Sequence, residues 1–363
     1  MHKVYRGVAA LMALAVLGAA CGKKAATTTS SSSSKNASFL GCMVTDTGGI
    51  DDRSFNATAW KGMEDSHTAL GVTVKYLQST SQNDYAPNIQ QFVQQKCSII
   101  VTVGFLMGDA TKAAATAAPS QKFAIVDFDY APSEIPNVQP LTFQTDQAAF
   151  LAGYLAAGMT QSGKVGTYGG DKFGTVTIFE NGFAAGIGYY NQQKGTHVQL
   201  LGWNPTTQDG LFVGGPNAFT DQDKGKQFAN SLMDQGADII MPVAGSDGLG
   251  TAAAVQARGG NNKVIWVDTD GCVSAAQYCS LFLTSVQKKI DVAVGASVKA
   301  ALDGTFQGGT PYVGTLANQG VDIAPFHDFD SQVPATLKSE LDTIRAGIIS
   351  GSISVDPKSY PSS

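Results

Sequence analysis

A short polar segment, residues 45–56, has the side chains that a ligand site needs. Its acidic, hydroxyl, aromatic and amide members are Asp46, Asp51, Asp52, Ser54, Phe55 and Asn56. The apolar run 39–44 before it predicts a buried strand, and Gly48 and Gly49 allow a tight turn after that strand. The later acids and the serine are potential N-caps for a helix that carries Phe55 in its first turn, where a core aromatic is the alternative. Open α/β sheets bind ligands where a strand is followed by a polar loop and a helix N-terminus.

The rest of the chain alternates between apolar strand patterns and helical patterns. Strands are predicted at 72–77, 98–104, 123–127, 164–168, 197–202, 238–244 and 263–268. Helices are predicted between them at 87–96, 108–118, 146–160 and 226–236. This alternation predicts parallel sheets flanked by helices, which is the doubly wound α/β class.

The order of these patterns is repeated once along the chain. Residues 38–130 resemble residues 163–271 element by element, and a period of that length is too long for a solenoid. In each copy a strand ends in an acid, Asp127 or Asp268, and a phenylalanine stands early in a helix. We therefore expect two similar α/β lobes.

The N-terminus has the pattern of an export signal. Basic residues precede an apolar stretch, 8–20, that is too short to span a bilayer. The small residues before Cys21 resemble the bacterial lipoprotein signal, in which the cysteine is lipidated and becomes the new N-terminus. An ordinary cleaved signal is the alternative. We interpret residues 1–20 as a signal peptide and 21–37, which is rich in serine and threonine, as a polar tether from a lipid anchor.

Composition and cysteine usage narrow the functions that the protein could have. The 363 residues are 43% hydrophobic with a formal net charge of −5, which gives no support for nucleic-acid binding. Export places four cysteines in an oxidising compartment. Cys272 and Cys279 can pair across a short loop, whereas Cys42 and Cys97 lie on predicted strands where buried free thiols are equally plausible. No cysteine–histidine spacing indicates a metal site, and no cofactor is expected.

A duplicated α/β unit resembles the type I periplasmic binding proteins, which hold a ligand in the cleft between two lobes. The opening motif at 45–56, followed by Trp60 and Gly62, is similar to that of the basic membrane protein family. Further similar stretches follow in order over nearly the whole mature chain, at 103–110, 123–127, 151–156, 164–170, 182–186, 244–250 and 284–294. Members of that family are substrate-binding lipoproteins of ABC importers and include purine nucleoside receptors.

The resemblance implies a role for each matching residue. Two aromatics, one from each lobe, clamp the base, and these match Phe55 and Phe183, with Phe179 as the alternative for the second. Asn56 and Asp127 match residues that hydrogen-bond the base. The remaining binding positions, mostly around the ribose hydroxyls, match Asp46, Ser54, Gly245, Asp268 and Lys288. Carboxylates accept hydrogen bonds from sugar hydroxyls, lysine donates them, and flat rings stack on bases.

Other interpretations fit parts of the same pattern. Lys288 can be a solvated lysine at a helix start, and Asp127 can be a helix cap. The segment from Asp46 to Asp52 resembles the calcium loop of nucleoside hydrolases, in which carboxylates hold Ca²⁺ and the ion activates water, although Gly48 replaces the middle aspartate. A sugar, an autoinducer or an amino-acid-derived ligand in the same fold is a further alternative.

These patterns together predict a non-enzymatic receptor made of two lobes. Lobe I is expected to comprise 38–161 with a returning segment at 286–320. Lobe II is expected to comprise 162–285 with the C-terminal segment 321–363, so that the chain crosses a multi-strand hinge more than once. We expect a monomer without a metal ion, lipid-anchored on the extracytoplasmic face of the cell membrane, that delivers a nucleoside to an ABC permease.

The lipid anchor can be tested by phase partitioning. Wild-type protein should partition into a detergent phase, and Cys21→Ser should move it to the aqueous phase because the acylated residue is lost. Wild-type protein that is already aqueous and begins downstream of Cys21 would show that the signal is an ordinary cleaved one.

Overall fold

The computed structural model describes residues 36–131 and 134–360. The expected signal peptide, the lipidation site Cys21 and the tether up to residue 35 lie outside the described residues. The tether was expected to end at residue 37, but Asn36 already belongs to the first strand and its side chain donates a hydrogen bond to the Leu70 carbonyl at 2.8 Å. Among the described helices, none combines the length and the apolar character needed to cross a bilayer.

The strands form two six-stranded sheets and one short hairpin within the described ranges. In chain order they are β1 (Asn36–Thr45), β2 (Val72–Leu77), β3 (Ile99–Val103), β4 (Phe123–Val126), β5 (Val138–Phe143), β6 (Lys164–Gly169), β7 (Gln199–Leu201), β8 (Trp203–Asn204), β9 (Asp209–Gly210), β10 (Ile239–Val243), β11 (Lys263–Asp268), β12 (Phe282–Lys288), β13 (Tyr312–Gly314) and β14 (Val321–Ile323). The α-helices are α1 (Phe55–Leu70), α2 (Tyr85–Gln94), α3 (Gly108–Ala117), α4 (Thr145–Met159), α5 (Gly174–Lys194), α6 (Gln222–Asp234), α7 (Asp247–Arg258), α8 (Gly271–Ser274), α9 (Ile290–Asp303) and α10 (Ala335–Ser350).

The two large sheets have the same strand order. The first runs β2-β1-β3-β4-β5-β13 with all neighbours parallel. The second runs β7-β6-β10-β11-β12-β14, and only β14 is antiparallel to its neighbour. The first five strands of each sheet follow the doubly wound order 2-1-3-4-5. The predicted fold class of two similar parallel-sheet lobes is therefore confirmed.

Strands made mostly of apolar and β-branched residues were predicted well. β3 and β10 are buried at every position, and β2 and β11 have the predicted bounds. β5 and β12, whose apolar runs are broken at Gln139-Pro140 and at Thr284-Ser285, were missed. β12 ends in Lys288, so the missed strand is one that brings a predicted site residue into place.

Helix α4 packs on the second sheet, which corrects the expected lobe boundary at residue 161. It lies against α5, α10, β12 and β14. Close packing is possible because Gly153, Gly182 and Gly186 face the α4–α5 contact, where a Cβ on any of them would overlap main-chain atoms of the other helix. Eleven of the fifteen α4 residues are buried, so its sequence is apolar on all sides and periodicity could not show which lobe it covers.

The chain crosses between the sheets three times. It crosses from β5 to α4, from β12 to α9, which packs on α1, and from β13 to β14. The crossings lie side by side, because Gln144 N donates to Gly314 O at 2.8 Å and Lys289 N donates to Gly320 O at 2.9 Å. We define lobe I as 36–143 with 290–314 and lobe II as 145–288 with 321–360.

Both pairs of cysteines whose state the sequence left open form disulfides. Cys42 on β1 pairs with Cys97, which precedes β3, and their Cα atoms are 6.0 Å apart. Cys272 pairs with Cys279 around the short turn after β11. The first bridge lies in the core of lobe I, where Cys42 is 0% and Cys97 4% exposed.

The two bridges should differ in their effect on stability. Cys42→Ala/Cys97→Ala opens a link between residues 55 apart, whereas Cys272→Ala/Cys279→Ala opens one between residues 7 apart. Loop-closure entropy then predicts a loss in the free energy of unfolding of roughly 4 kcal/mol for the first pair and roughly 2 kcal/mol for the second. Denaturant melts of both double variants measure the difference, and equal losses would contradict the expected order.

Candidate functional site

One cavity lies between the carboxyl-terminal edges of the two sheets. Eight of the ten sequence-predicted ligand residues line it, namely Asp46, Phe55, Asn56, Asp127, Phe179, Gly245, Asp268 and Lys288. They come from strand ends and from the first two turns of the following helices, which parallel sheets bring to one edge. Ser54 and Phe183 do not line the cavity.

Two aspartates occupy equivalent positions in the two lobes. Asp127 follows β4 in lobe I and Asp268 ends β11 in lobe II, and both are 7% exposed. Both also have left-handed backbones, with φ of 65° and 67°. Aspartate is one of the few residues that tolerates this conformation, which turns each chain away from its strand. The duplication seen in the sequence thus places one carboxylate on each wall.

Lys288 lies between these two carboxylates. Its Nζ is 2.5 Å from Asp127 Oδ2 and 4.0 Å from Asp268 Oδ1, and the residue is 2% exposed. Burial raises the pKa of both carboxyls, and the nearby ammonium offsets that rise only in part. Lys288 is therefore not a solvated lysine, and Asp127 is held in an ion pair.

Three aromatic rings surround the same ammonium group. Lys288 Nζ is 5.1 Å from the ring centroid of Phe55, 5.3 Å from that of Phe179 and 5.7 Å from that of Phe143. Cation–π attraction adds to the ion pair and fixes the lysine between aromatic walls from both lobes. Phe55 thus faces the cleft, although the sequence alone left a core position open.

Asp46 sits in a network at the start of the cleft in lobe I. Its Oδ1 accepts hydrogen bonds from Gly48 N at 3.0 Å and Asn56 Nδ2 at 2.8 Å. Burial raises the pKa of its carboxyl to about 6, even though both hydrogen bonds oppose the rise. Gly104 packs directly on this carboxylate, and a Cβ there would collide with it.

Asp52, which was a helix-cap candidate and the last acid of the calcium-loop alternative, caps α1 and also lines the cavity. Its Oδ1 accepts from Ser54 N and Ala57 N, at 2.9 and 3.0 Å, and its Oδ2 accepts from Asn56 N at 2.7 Å. Burial raises the pKa of this carboxyl to about 7. Capping thus occupies both oxygens and fixes the first turn of α1, which presents Phe55 and Asn56 to the cleft.

Ser54 is buried behind the residues that line the cavity. It is 0% exposed, and its Oγ donates to Asp268 Oδ2 in the other lobe at 2.6 Å. A second interlobe hydrogen bond runs from Trp266 Nε1 to Arg53 O at 3.3 Å. The loop before α1 therefore contacts lobe II at the end of β11, and Ser54 orients a predicted ligand residue.

Phe179 and Phe183 occupy different surroundings on α5. Both residues are buried and one helical turn apart, but Phe179 lines the cavity. Phe183 lies one turn farther from the helix N-terminus, where its main chain contacts Gly153 of α4. The structure thus places Phe183 in the core of lobe II and leaves Phe179 as the cleft residue.

The sequence analysis missed the apolar part of the cavity lining. These residues are Phe105, Leu106, Phe173, Val176, Phe219, Val243 and Ala244. Phe105 belongs to a stretch that carried the family resemblance, but no role was attached to it. Phe173 and Phe219 lie in irregular segments without periodicity, so no pattern marked them as site residues.

A separate group of metal-ligating side chains lies outside the cleft. Asp270, Cys272 and His327 have ligand atoms within 4.8 Å of one another in the described part of the chain. His327 Nε2 is 2.8 Å from Asp270 Oδ2, and the Cys272 sulfur is joined to Cys279. As a disulfide, that sulfur is not the thiolate that metals bind.

Comparison with known proteins places the chain in a family. Residues 39–358 match the family model "ABC transporter substrate-binding protein PnrA-like". The chain is 31% identical over 364 residues to a "CD4+ T-cell-stimulating antigen" of Listeria monocytogenes, covering 96% of each protein. It is 30% identical over 332 residues to the "ABC transporter nucleoside-binding protein BmpA" of Lactococcus lactis, covering 87% of this chain and 88% of that protein.

Solved structures with the same fold include solute-binding proteins of ABC transporters. One from Aeropyrum pernix has a TM-score of 0.76 at 24% identity, covering 86% of this chain and 92% of that one. One from Conexibacter woesei has a TM-score of 0.67 at 23% identity, covering 87% and 98%. Because the family match extends over nearly all described residues, the chain belongs to the PnrA-like family of ABC transporter substrate-binding proteins.

Proposed function

We propose that this substrate-binding protein is a receptor for a purine nucleoside, held between its lobes and delivered to an ABC permease. The observation that carries the proposal is one cavity lined by both buried charged side chains and aromatic rings. Asp127, Asp268 and Lys288 are the charged side chains, and all are below 10% exposed. A nucleoside combines a hydroxylated sugar with a flat base.

The buried charged side chains of the cavity suit the hydroxyls of the sugar. Carboxylates accept hydrogen bonds from hydroxyls, and an ammonium group donates to them. Asp46 and Asp268 offer oxygens from opposite lobes, and Lys288 lies between the walls. Gly245 has φ of 53° and lines the wall without a side chain, so its main chain is open to the ligand.

Asn56 supports a ligand with an N–H donor. Its Nδ2 already donates to Asp46 at 2.8 Å, whereas its Oδ1 is buried without a hydrogen-bond partner. Buried acceptors are normally satisfied, so this oxygen calls for a donor from the ligand. An exocyclic amine or ring N–H of a purine supplies one, and Asp127 faces the same cavity.

The aromatic residues support a flat ring. Phe55 from lobe I and Phe179 from lobe II lie within 5.3 Å of the Lys288 ammonium and line the cavity, as does Phe219. Stacking on such rings does not depend on the identity of the base. The name of the Lactococcus lactis relative is consistent with a nucleoside ligand.

Binding between two lobes explains how a permease could sense loading. A ligand that touches both lobes has its full affinity only in the closed state, so it favours closure.

We further propose that Cys21 carries the lipid that holds the receptor at the extracytoplasmic face of the membrane. Ligand-driven closure and the lipid anchor are both proposals that go beyond the family assignment.

Calorimetry with nucleosides tests the ligand. Adenosine, guanosine or inosine should bind at micromolar affinity or better, roughly −8 kcal/mol or more favourable. Phe55→Ala should weaken binding by roughly 1–3 kcal/mol because it removes one stacking surface.

Phe228→Ala is the matched control, since Phe228 is also half-buried but lies on α6 away from the cleft. Its affinity should equal that of the wild type. Unchanged affinity in Phe55→Ala, or tight binding of a pyranose in place of every nucleoside, would contradict the proposal.

A further inference from the structure

We propose that Phe105 and Phe173 form a latch across the solvent side of the cleft, and that this latch sets how long a ligand stays bound. The inference rests on the proposed function, since it concerns the same cavity. It assigns positioning roles to two residues, neither of which the sequence analysis selected.

The latch is a ring contact between the lobes. Phe105 lies in the turn after β3 of lobe I, and Phe173 directly precedes α5 of lobe II. Their ring centroids are 5.2 Å apart with an interplanar angle of 25°, which is an offset stack. Within residues 36–131 and 134–360, every other close aromatic pair has both rings in one lobe.

The stack lies at the solvent side of the cavity. Phe105 is 39% exposed, whereas Asp127 and Asp268 are 7% exposed and Lys288 is 2% exposed. All four residues line the same cavity. The polar contacts therefore lie deep in the cleft, and the rings cover its outer side.

Each ring of the latch is supported by a second ring of its own lobe. Phe128 packs against Phe105 with centroids 5.3 Å apart, and Phe219 packs against Phe173 with centroids 6.3 Å apart. The four rings form a continuous row across the interlobe gap. Closure therefore joins two preformed aromatic pairs.

The supporting rings rest directly on main chain. Gly108 lies under Phe128 and Gly170 lies under Phe219, and a Cβ on either glycine would collide with the ring. The rings consequently have little room to retreat when the lobes meet. This fixed placement distinguishes the latch from a chance contact between surface aromatics.

The latch predicts a kinetic effect. An aromatic pair contributes enough free energy to change the closed-to-open ratio by roughly two- to tenfold. Ligand leaves from the open state, so loss of the stack should raise the dissociation rate constant by that factor. Ligand enters the open state, in which the rings are apart, so the association rate constant should change little.

Stopped-flow dissociation of adenosine tests the latch with a double-mutant cycle. Phe105→Ala and Phe173→Ala should each raise the dissociation rate constant roughly two- to tenfold. The double variant should be no faster than the faster single variant, because both substitutions remove one shared contact. Tyr76→Ala is the matched control, since Tyr76 is also 39% exposed but its ring pairs with Trp60 within lobe I.

Additive effects in the cycle would overturn the latch, because they would mean that each ring contacts the ligand separately. Unchanged dissociation in both single variants would overturn it as well.

If the wild type binds no nucleoside, the proposed function fails, and the latch is then tested without ligand. A short thiol-specific crosslinker should join Phe105→Cys to Phe173→Cys and should not join Tyr76→Cys to Phe173→Cys; absence of the first product overturns the latch.

Discussion

The buried charge of Lys288 is the constraint on which the arrangement of the cleft depends. An ammonium group at 2% exposure is stable only when anionic partners compensate its lost hydration. Asp127 from lobe I stands 2.5 Å away and Asp268 from lobe II 4.0 Å away. Lys288 also ends β12, immediately before the chain crosses to lobe I. These three charges therefore link the hinge crossing to both walls of the cavity.

The surrounding groups hold the side chains of this charged centre in place. Ser54 orients Asp268 from across the gap, and Asp52 fixes the helix turn that presents Asn56. Burial raises the pKa of Asp52 to about 7. The surroundings of this carboxyl thus disfavour its charged form. The aromatic row lies on the solvent side of these polar contacts. A ligand bound there exchanges hydration for fixed donors and acceptors.

The sequence predicted those parts of the site that follow from strand order. Asp127 and Asp268 could be found because the duplication aligned two strand ends, and parallel strands bring such ends to one edge. The choice between Phe179 and Phe183 could not be predicted, because both lie on one helix face and only contact with α4 separates them. The lobe of α4 was hidden for a related reason, since a helix that is apolar on every side has no face to assign. Phe105, Phe173 and Phe219 lie in segments without periodicity, so only the folded chain shows that they meet.

Native mass spectrometry tests the central claim most directly. The protein is mixed with equimolar adenosine, guanosine, uridine, ribose and glucose, and the mass of the bound species is read from the intact complex. The account predicts a single 1:1 adduct with the mass of a purine nucleoside, because a nucleoside engages both the charged and the aromatic side chains of the cavity and a purine offers a larger stacking surface than uracil. An adduct with the mass of uridine or of a free sugar, or no adduct with any of the five compounds, would contradict it.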